Sequence, residues 1–297
     1  MRLWRRRSVL AVPSPAGLFA AAVLLAVPAG LASCATIYNP ATGRTETVLN
    51  TPTEIALGNI AKAQMGLFSL KMGKLDPAEF DRVQRIGQAL AKESDRKDVP
   101  YRFGVIRDED LNAFALPGGT IYVYSGLLEK ATDDELASVL GHEIGHVAAR
   151  HAAKHLQSDL GFMLLLQIAT AAGADPQSAQ VGESLYDLFR RGYSRADELQ
   201  ADRLGLRYTM RAGYNPDGML SFFEKLLEEQ EESALDKLEV WNRTHPLASD
   251  RITEAKKELE RLREGATFCP ECGRSYPPKK RFCAADGTPL KKKKVRP

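Results

Sequence analysis

The sequence predicts an α+β fold, mainly helical, with a small β-sheet beside one central helix. Three observations predict it. Apolar residues recur at helical spacing over much of residues 51–264. Two stretches between residues 101 and 124 read as strands, separated by a Pro-Gly-Gly turn. One helical pattern contains the pentad His142-Glu143-Ile144-Gly145-His146.

The 297-residue chain is 44% hydrophobic and 27% charged, which excludes wholesale disorder. Its net charge of +3 divides by position. Residues 1–33 hold four arginines and no acid, residues 34–268 are net acidic, and residues 269–297 are strongly basic. That polarity excludes a broadly basic nucleic-acid-binding body, so no nucleic-acid partner is expected.

The N-terminus reads as an export signal. MRLWRRR is a positive start, an apolar stretch runs from Ser8 to Ala32, and Leu31-Ala32-Ser33-Cys34 closes it. The last four residues resemble the bacterial lipobox. The resemblance implies cleavage before Cys34 and lipid attachment to its thiol, which would hold the protein at a membrane without a spanning helix. The rival is an uncleaved signal anchor, which Pro13, Pro15 and Pro28 disfavour. Residues 34–50 are expected as a linker.

Thr51 or Thr53 is placed to cap a first helix through EIALGNIAKAQMGLFSLKMG, and Asp76-Pro77 opens a second. In the second, Phe80, Val83, Ile86 and Leu90 recur on one face. YRFGVI is a strand. NAFALPGGTIYVYSGLL gives a strand, a turn and the strand Ile121-Tyr122-Val123-Tyr124. Thr132-Asp133-Asp134-Glu135 is a capping-box start for ELASVLGHEIGHVAARHAAKHL. The apolar run Phe162 to Ala172 is too short to span a bilayer. Helices then dominate to Glu264, and no internal repeat is visible.

In the pentad, residues four apart lie about 40° apart on a helix, so both imidazoles of His142 and His146 reach one metal ion. Glu143, about a quarter-turn round, suits a base acting on water at that metal. His151 and His155 are nine and thirteen residues past His142, about 180° and 220° round a continuous helix. They are expected to face away as surface or packing residues. A catalytic zinc needs a third protein ligand. Glu198 in Ser194-Arg195-Ala196-Asp197-Glu198-Leu199-Gln200-Ala201-Asp202 is the best candidate. Asp202, four residues on, shares its face and can hydrogen-bond a ligating imidazole. Asp197 and Asp187 remain competitors.

Four ordered segments carry a more specific resemblance: NAFALPGGTIYVYSGLL at 112–128, ELASVLGHEIGHVAARH at 135–151, SRADELQAD at 194–202 and THPLASDRI at 244–252. Together they resemble a gluzincin metallopeptidase of the HtpX and CAAX-prenyl-protease type, in its secreted bacterial branch. The resemblance implies a zincin-like peptidase fold over residues 51–264. It implies that His142, His146 and Glu198 bind zinc, that Glu143 is the general base, and that Asp202 supports a ligand. His245 would either stabilise the oxyanion or occupy the open coordination position and hold the enzyme latent. Asn112, Ala113, Phe114 and Ala115 would form an exposed strand that pairs with extended substrate through its backbone; the alternative is plain sheet core.

The tail is a second module, residues 265–290, followed by a basic end, 291–297. Cys269-Pro-Glu-Cys272 and Phe282-Cys283-Ala-Ala-Asp286 resemble a zinc ribbon with Asp in place of a fourth Cys. That would add a second, structural zinc held by Cys269, Cys272, Cys283 and Asp286. A disulfide is the rival in an oxidising compartment. The basic end suits anionic lipid, an acidic partner or solvent.

The expectation is a lipid-anchored zinc endopeptidase facing the periplasm, on the outer membrane in preference to the inner. It would act on unfolded or membrane-associated proteins in envelope quality control. The alternative is a lipid-anchored chaperone or binding module whose zinc is structural or latent.

Overall fold

A computed structural model describes residues 34–68, 76–159, 192–231, 241–246, 249–264, 266–271, 275–283 and 287–292. Residues 1–33, the Phe162 to Ala172 run, Asp187, Cys272 and Asp286 lie outside the described residues. In order, the elements are β1 (Cys34–Asn39), β2 (Arg44–Leu49), α1 (Thr51–Phe68), α2 (Pro77–Ala91), β3 (Arg102–Ile106), β4 (Ala113–Ala115) and β5 (Thr120–Tyr124). They continue with α3 (Ser125–Lys130), α4 (Asp133–Ala149), α5 (His151–Asp159), α6 (Arg195–Ala212), α7 (Gly218–Glu231), α8 (Ser249–Arg263), β6 (Thr267–Phe268), β7 (Ser275–Tyr276) and β8 (Lys291–Lys292).

The capping box forms as the sequence dictates. Thr132 Oγ1 accepts from the Glu135 amide at 3.4 Å, and the Glu135 carboxylate accepts from the Thr132 amide at 2.8 Å. From there every residue of α4 from Glu135 to Ala149 is buried, so the helix that carries the pentad is the core's axis. Leu136, Leu140 and Ile144 pack with Val83, Ile86 and Leu90 of α2 and with Ile121 and Val123 of β5. Phe80, the first residue of the α2 apolar row, stays largely exposed. Asp76 caps α2 by accepting from the Ala78 amide at 2.9 Å.

The three-stranded sheet has the order β3-β5-β4, with β3 parallel and β4 antiparallel to β5. α2 packs on β3, while α4 packs on β4.

Two departures concern the N-terminal part. Residues 34–50, expected as a linker, form a β-hairpin with Cys34 opposite Leu49. Its end is anchored: Val48 and Leu49 are buried, and Asn39 Nδ2 donates to Ala148 O at 3.1 Å. The α1 cap is Asn50, not Thr51 or Thr53, since Asn50 Oδ1 accepts from the Thr53 amide at 2.9 Å.

α4 and α6 cross at backbone contact. A Cβ on Gly145 would stand 2.8 Å from Ala201 O, and one on Gly205 would stand 2.8 Å from the His142 nitrogen. Only glycine permits that approach, and the approach brings the acidic face of α6 onto the pentad.

At the C-terminal end β6, β7 and β8 form a small antiparallel sheet of order β7-β6-β8. Cys269 and Cys283 are buried with Tyr276, whose hydroxyl lies 3.1 Å from Cys283 Sγ. Lys280 ties the module to the body by donating to Arg211 O at 3.0 Å and to Glu93 at 3.3 Å. Among the described residues no helix is long and apolar enough to cross a membrane.

Candidate metal centre

His142 and His146 stand on one face of α4, and Glu198 enters from the first turn of α6. The third histidine, His245, follows a helical turn at 241–244. Donor atoms of His142, His146, Glu198 and His245 all lie within 4.8 Å of one another, and all four side chains are buried. The His142 and His146 Nε2 atoms are 2.9 Å apart. Glu198 Oε2 is 3.5 Å from the first, and its Oε1 is 3.3 Å from the second. His245 Nδ1 is 3.3 Å from His142 Nε2 and 3.1 Å from Glu198 Oε1. Glu143 is fully buried, with Oε1 3.4 Å from His245 Nε2.

The chemistry of this set fits a zinc ion. Two imidazole nitrogens and a carboxylate are the donors borderline-soft zinc takes, and ligands must present them deprotonated. Burial pushes the Glu198 pKa up, but His245, Arg251 and His142 outweigh it and hold the carboxylate well below its usual range. Burial, aided by the nearby His142, pushes His146 well below the usual imidazole value and keeps it neutral. Among the described residues neither oxygen of Glu143 nor Nε2 of His245 makes a well-formed hydrogen bond, although all three atoms are buried. A buried site with unspent polar atoms is one built for a further polar occupant. Zinc bound here supplies Lewis acidity to water and to a peptide carbonyl.

Asp202 does what its position in the sequence suggests. Its Oδ1 accepts from His142 Nδ1 at 2.8 Å, which leaves His142 Nε2 turned to the centre. Burial raises the Asp202 pKa, but Arg251 and His142 more than offset that and lower it. For Glu143, burial dominates: its pKa is raised in spite of His245, His142 and the Ala115 backbone. A raised value moves the carboxylate toward one that takes up and passes on a proton.

Three contributors escape sequence reasoning. Arg251, in the first turn of α8, donates from Nε and Nη2 to Asp202 at 2.8 Å each and pairs with Glu198 at 2.7 Å. It lies inside THPLASDRI, so its segment was visible but its role was not. Tyr193 stacks on His146, with ring centroids 3.9 Å apart. His151 overturns the expectation that it faces away: it is fully buried, with Nδ1 2.9 Å from His146 Nδ1. The cause is a helix break at Arg150, which adopts φ 60 and ψ 33. His155 also turns inward, 5.2 Å from the Tyr193 ring and 3.8 Å from Asp197. Asp197, a competitor for third ligand, instead faces these two histidines.

Asn112, Ala113, Phe114 and Ala115 lie beside α4 at the edge of the sheet, but all four are buried, so the strand is not the exposed one expected. Asn112 keeps a buried Oδ1 with no hydrogen-bond partner. Cys34 opens β1. Of the tail set, Cys269 and Cys283 are described and are buried within one small cluster.

A His-Glu-x-x-His helix converging with a glutamate from a second helix is the donor set of a metal-dependent peptidase. The chain matches the model of Peptidase family M48 over residues 77–259 and belongs to that family. It is 32% identical over 217 residues to the putative beta-barrel assembly-enhancing protease of Vibrio cholerae, covering 69% of this chain and 41% of that protein. It is 28% identical over 200 residues to the beta-barrel assembly-enhancing protease of Escherichia coli, covering 63% of this chain and 40% of that one. With the metalloprotease LoiP of Escherichia coli it shares 34% identity over 183 residues, 60% of this chain and 69% of LoiP. The chain thus spans about two fifths of the length of the first two relatives. All three relatives are named as proteases.

Proposed function

We propose that the protein is a zinc endopeptidase of bacterial envelope quality control, cleaving unfolded or misfolded proteins by activated water. The observation that carries this is the convergence of His142, His146 and Glu198 with a buried Glu143 carboxylate whose oxygens make no well-formed hydrogen bond. In this reading the first three bind zinc, Glu143 removes the proton of the attacking water, and Asp202 orients His142. His245 closes the fourth position in the conformation described and must withdraw before substrate binds; once displaced it is a donor for the oxyanion. Asn112 to Ala115, once uncovered, would pair with the substrate backbone.

The relatives named for beta-barrel assembly enhancement support an envelope setting, and the lipobox-like segment supports a lipid anchor at Cys34, with the outer membrane favoured. Within its family the protein is placed in the secreted lipoprotein branch of the HtpX and CAAX-prenyl-protease type. A second zinc in the tail, on Cys269, Cys272, Cys283 and Asp286, completes the reading.

The test is cleavage of an unfolded casein-like protein by the zinc-loaded chain. Glu143→Gln is expected to lower kcat by about 10²–10⁴-fold, the usual worth of a general base. Equal rates for the two proteins would sink the proposal. One observation favours a second reading, a binding module with a latent zinc: His245 already belongs to the donor cluster. Wild type and His245→Ala together separate the two: proteolysis by either one that Glu143→Gln abolishes marks an enzyme, and proteolysis by neither marks a binding module.

A further inference from the structure

We propose that His151 is a positioning residue for His146, aimed at it by the break at Arg150, and that it fixes the tautomer in which His146 offers Nε2 to the metal. This rests on the reading of His142, His146 and Glu198 as the zinc-binding set.

Five residues along an unbroken helix turn the chain by about 500°, which would leave His151 about 140° away from His146. Arg150 removes that separation. It is the one non-glycine residue with positive φ among those described, in a left-handed conformation that side chains with a Cβ rarely adopt. A buried network holds it there. Arg150 Nη1 donates to Leu49 O at 3.2 Å and to Glu54 Oε2 at 2.8 Å, and its Nη2 donates to Thr51 Oγ1 at 2.8 Å. Arg96 grips the same Glu54 at 2.8 and 2.7 Å and donates to Val147 O, in the last turn of α4, at 2.9 Å. The hairpin and α1 therefore clamp the break from outside the helix.

Proton placement follows from the partners. His151 Nε2 faces Gln200 Oε1 at 2.9 Å and Asp197 Oδ1 at 3.3 Å. A carboxylate offers only acceptors, so the proton sits on His151 Nε2 whichever way the Gln200 amide is turned. His151 Nδ1 is then a lone pair that accepts from His146 Nδ1–H, leaving His146 Nε2 unprotonated. Asp202 imposes the same state on His142 through its Nδ1. Two lone pairs then face each other across 2.9 Å, an arrangement that a metal ion or a proton between them reconciles. His142 is thus oriented by an anion and His146 by a neutral ring, so the pair is not symmetric.

The test is zinc affinity, read by chelator competition on the full chain for the ion that His146→Ala releases, together with unfolding of each zinc-free protein. His151→Leu keeps bulk but offers no acceptor, and is expected to weaken zinc about 10–100-fold. His151→Gln keeps an acceptor and should recover most of that loss at unchanged zinc-free stability. Gln200→Leu should weaken zinc in the same direction by less, and it tests the chain of bonds without touching His151. Wild-type affinity in His151→Leu, or no recovery in His151→Gln, overturns the proposal. If His146→Ala releases no zinc, the metal-set reading itself fails and takes this inference with it.

Discussion

Arg251 and Arg96 are both buried against carboxylates, one on each flank of α4, and they work at different distances from the chemistry. Arg251 stands between two acids, Asp202 and Glu198, so its cluster carries excess negative charge next to the proposed cation. Glu54 stands between two arginines, Arg96 and Arg150, and half-exposed Asp98 pairs with both of them, so that cluster is balanced in charge. Its arginines stand at the C-terminal end of α4, where the helix dipole is negative and where Arg96 meets the Val147 carbonyl. The first cluster holds metal-facing side chains directly. The second holds a backbone bend, and through the bend a histidine.

Zinc tells the two clusters apart. Arg251→Leu leaves two buried carboxylates without their cation, and Glu54→Gln leaves two buried guanidiniums with only the half-exposed Asp98. Each is expected to cost about 3–5 kcal/mol in denaturant unfolding of the zinc-free protein. Added zinc should restore part of the Arg251→Leu loss, because a cation arrives where one was removed. It should restore none of the intrinsic Glu54→Gln loss. Equal responses to zinc would erase the distinction.

Removing the metal from the wild-type protein is next in size. Ligand linkage gives about 2.7 kcal/mol at a free zinc concentration about 100 times Kd, so chelation should lower Tm measurably. An unchanged Tm would mean no ion binds the native state alone.

Gly205→Ala probes the crossing that both clusters depend on. The new methyl would meet the His142 backbone at 2.8 Å, and overpacking of that kind costs about 1–3 kcal/mol. Zinc affinity should fall with it, since Glu198 and Asp202 move with α6. The smallest effect is expected at the far end of α4. Thr132→Ala removes a cap worth about 1 kcal/mol and should leave zinc affinity unchanged.

Where local rules govern, the sequence was legible. The capping box at Thr132, the Asp76 cap, the strands of the central sheet and the shared face of Glu198 and Asp202 all follow from spacing within one element. His151 was not legible, because angular arithmetic assumes an unbroken helix. Arg150 breaks it with the help of Glu54, 96 positions earlier in the chain. Arg251 was hidden for a similar reason: its partners Glu198 and Asp202 lie on another helix, and no short-range pattern marks a buried arginine. The hairpin at 34–50 is short, and its anchor, Asn39 on Ala148 O, spans 109 positions.

Metal content tests the central claim most directly. Zinc per chain should be measured in the purified wild type, in Glu198→Ala and in Cys269→Ser. The account predicts that Glu198→Ala loses the ion bound by His142 and His146 while any zinc in the tail stays, and that Cys269→Ser does the reverse. Full retention of that ion in Glu198→Ala would contradict the assignment of the centre.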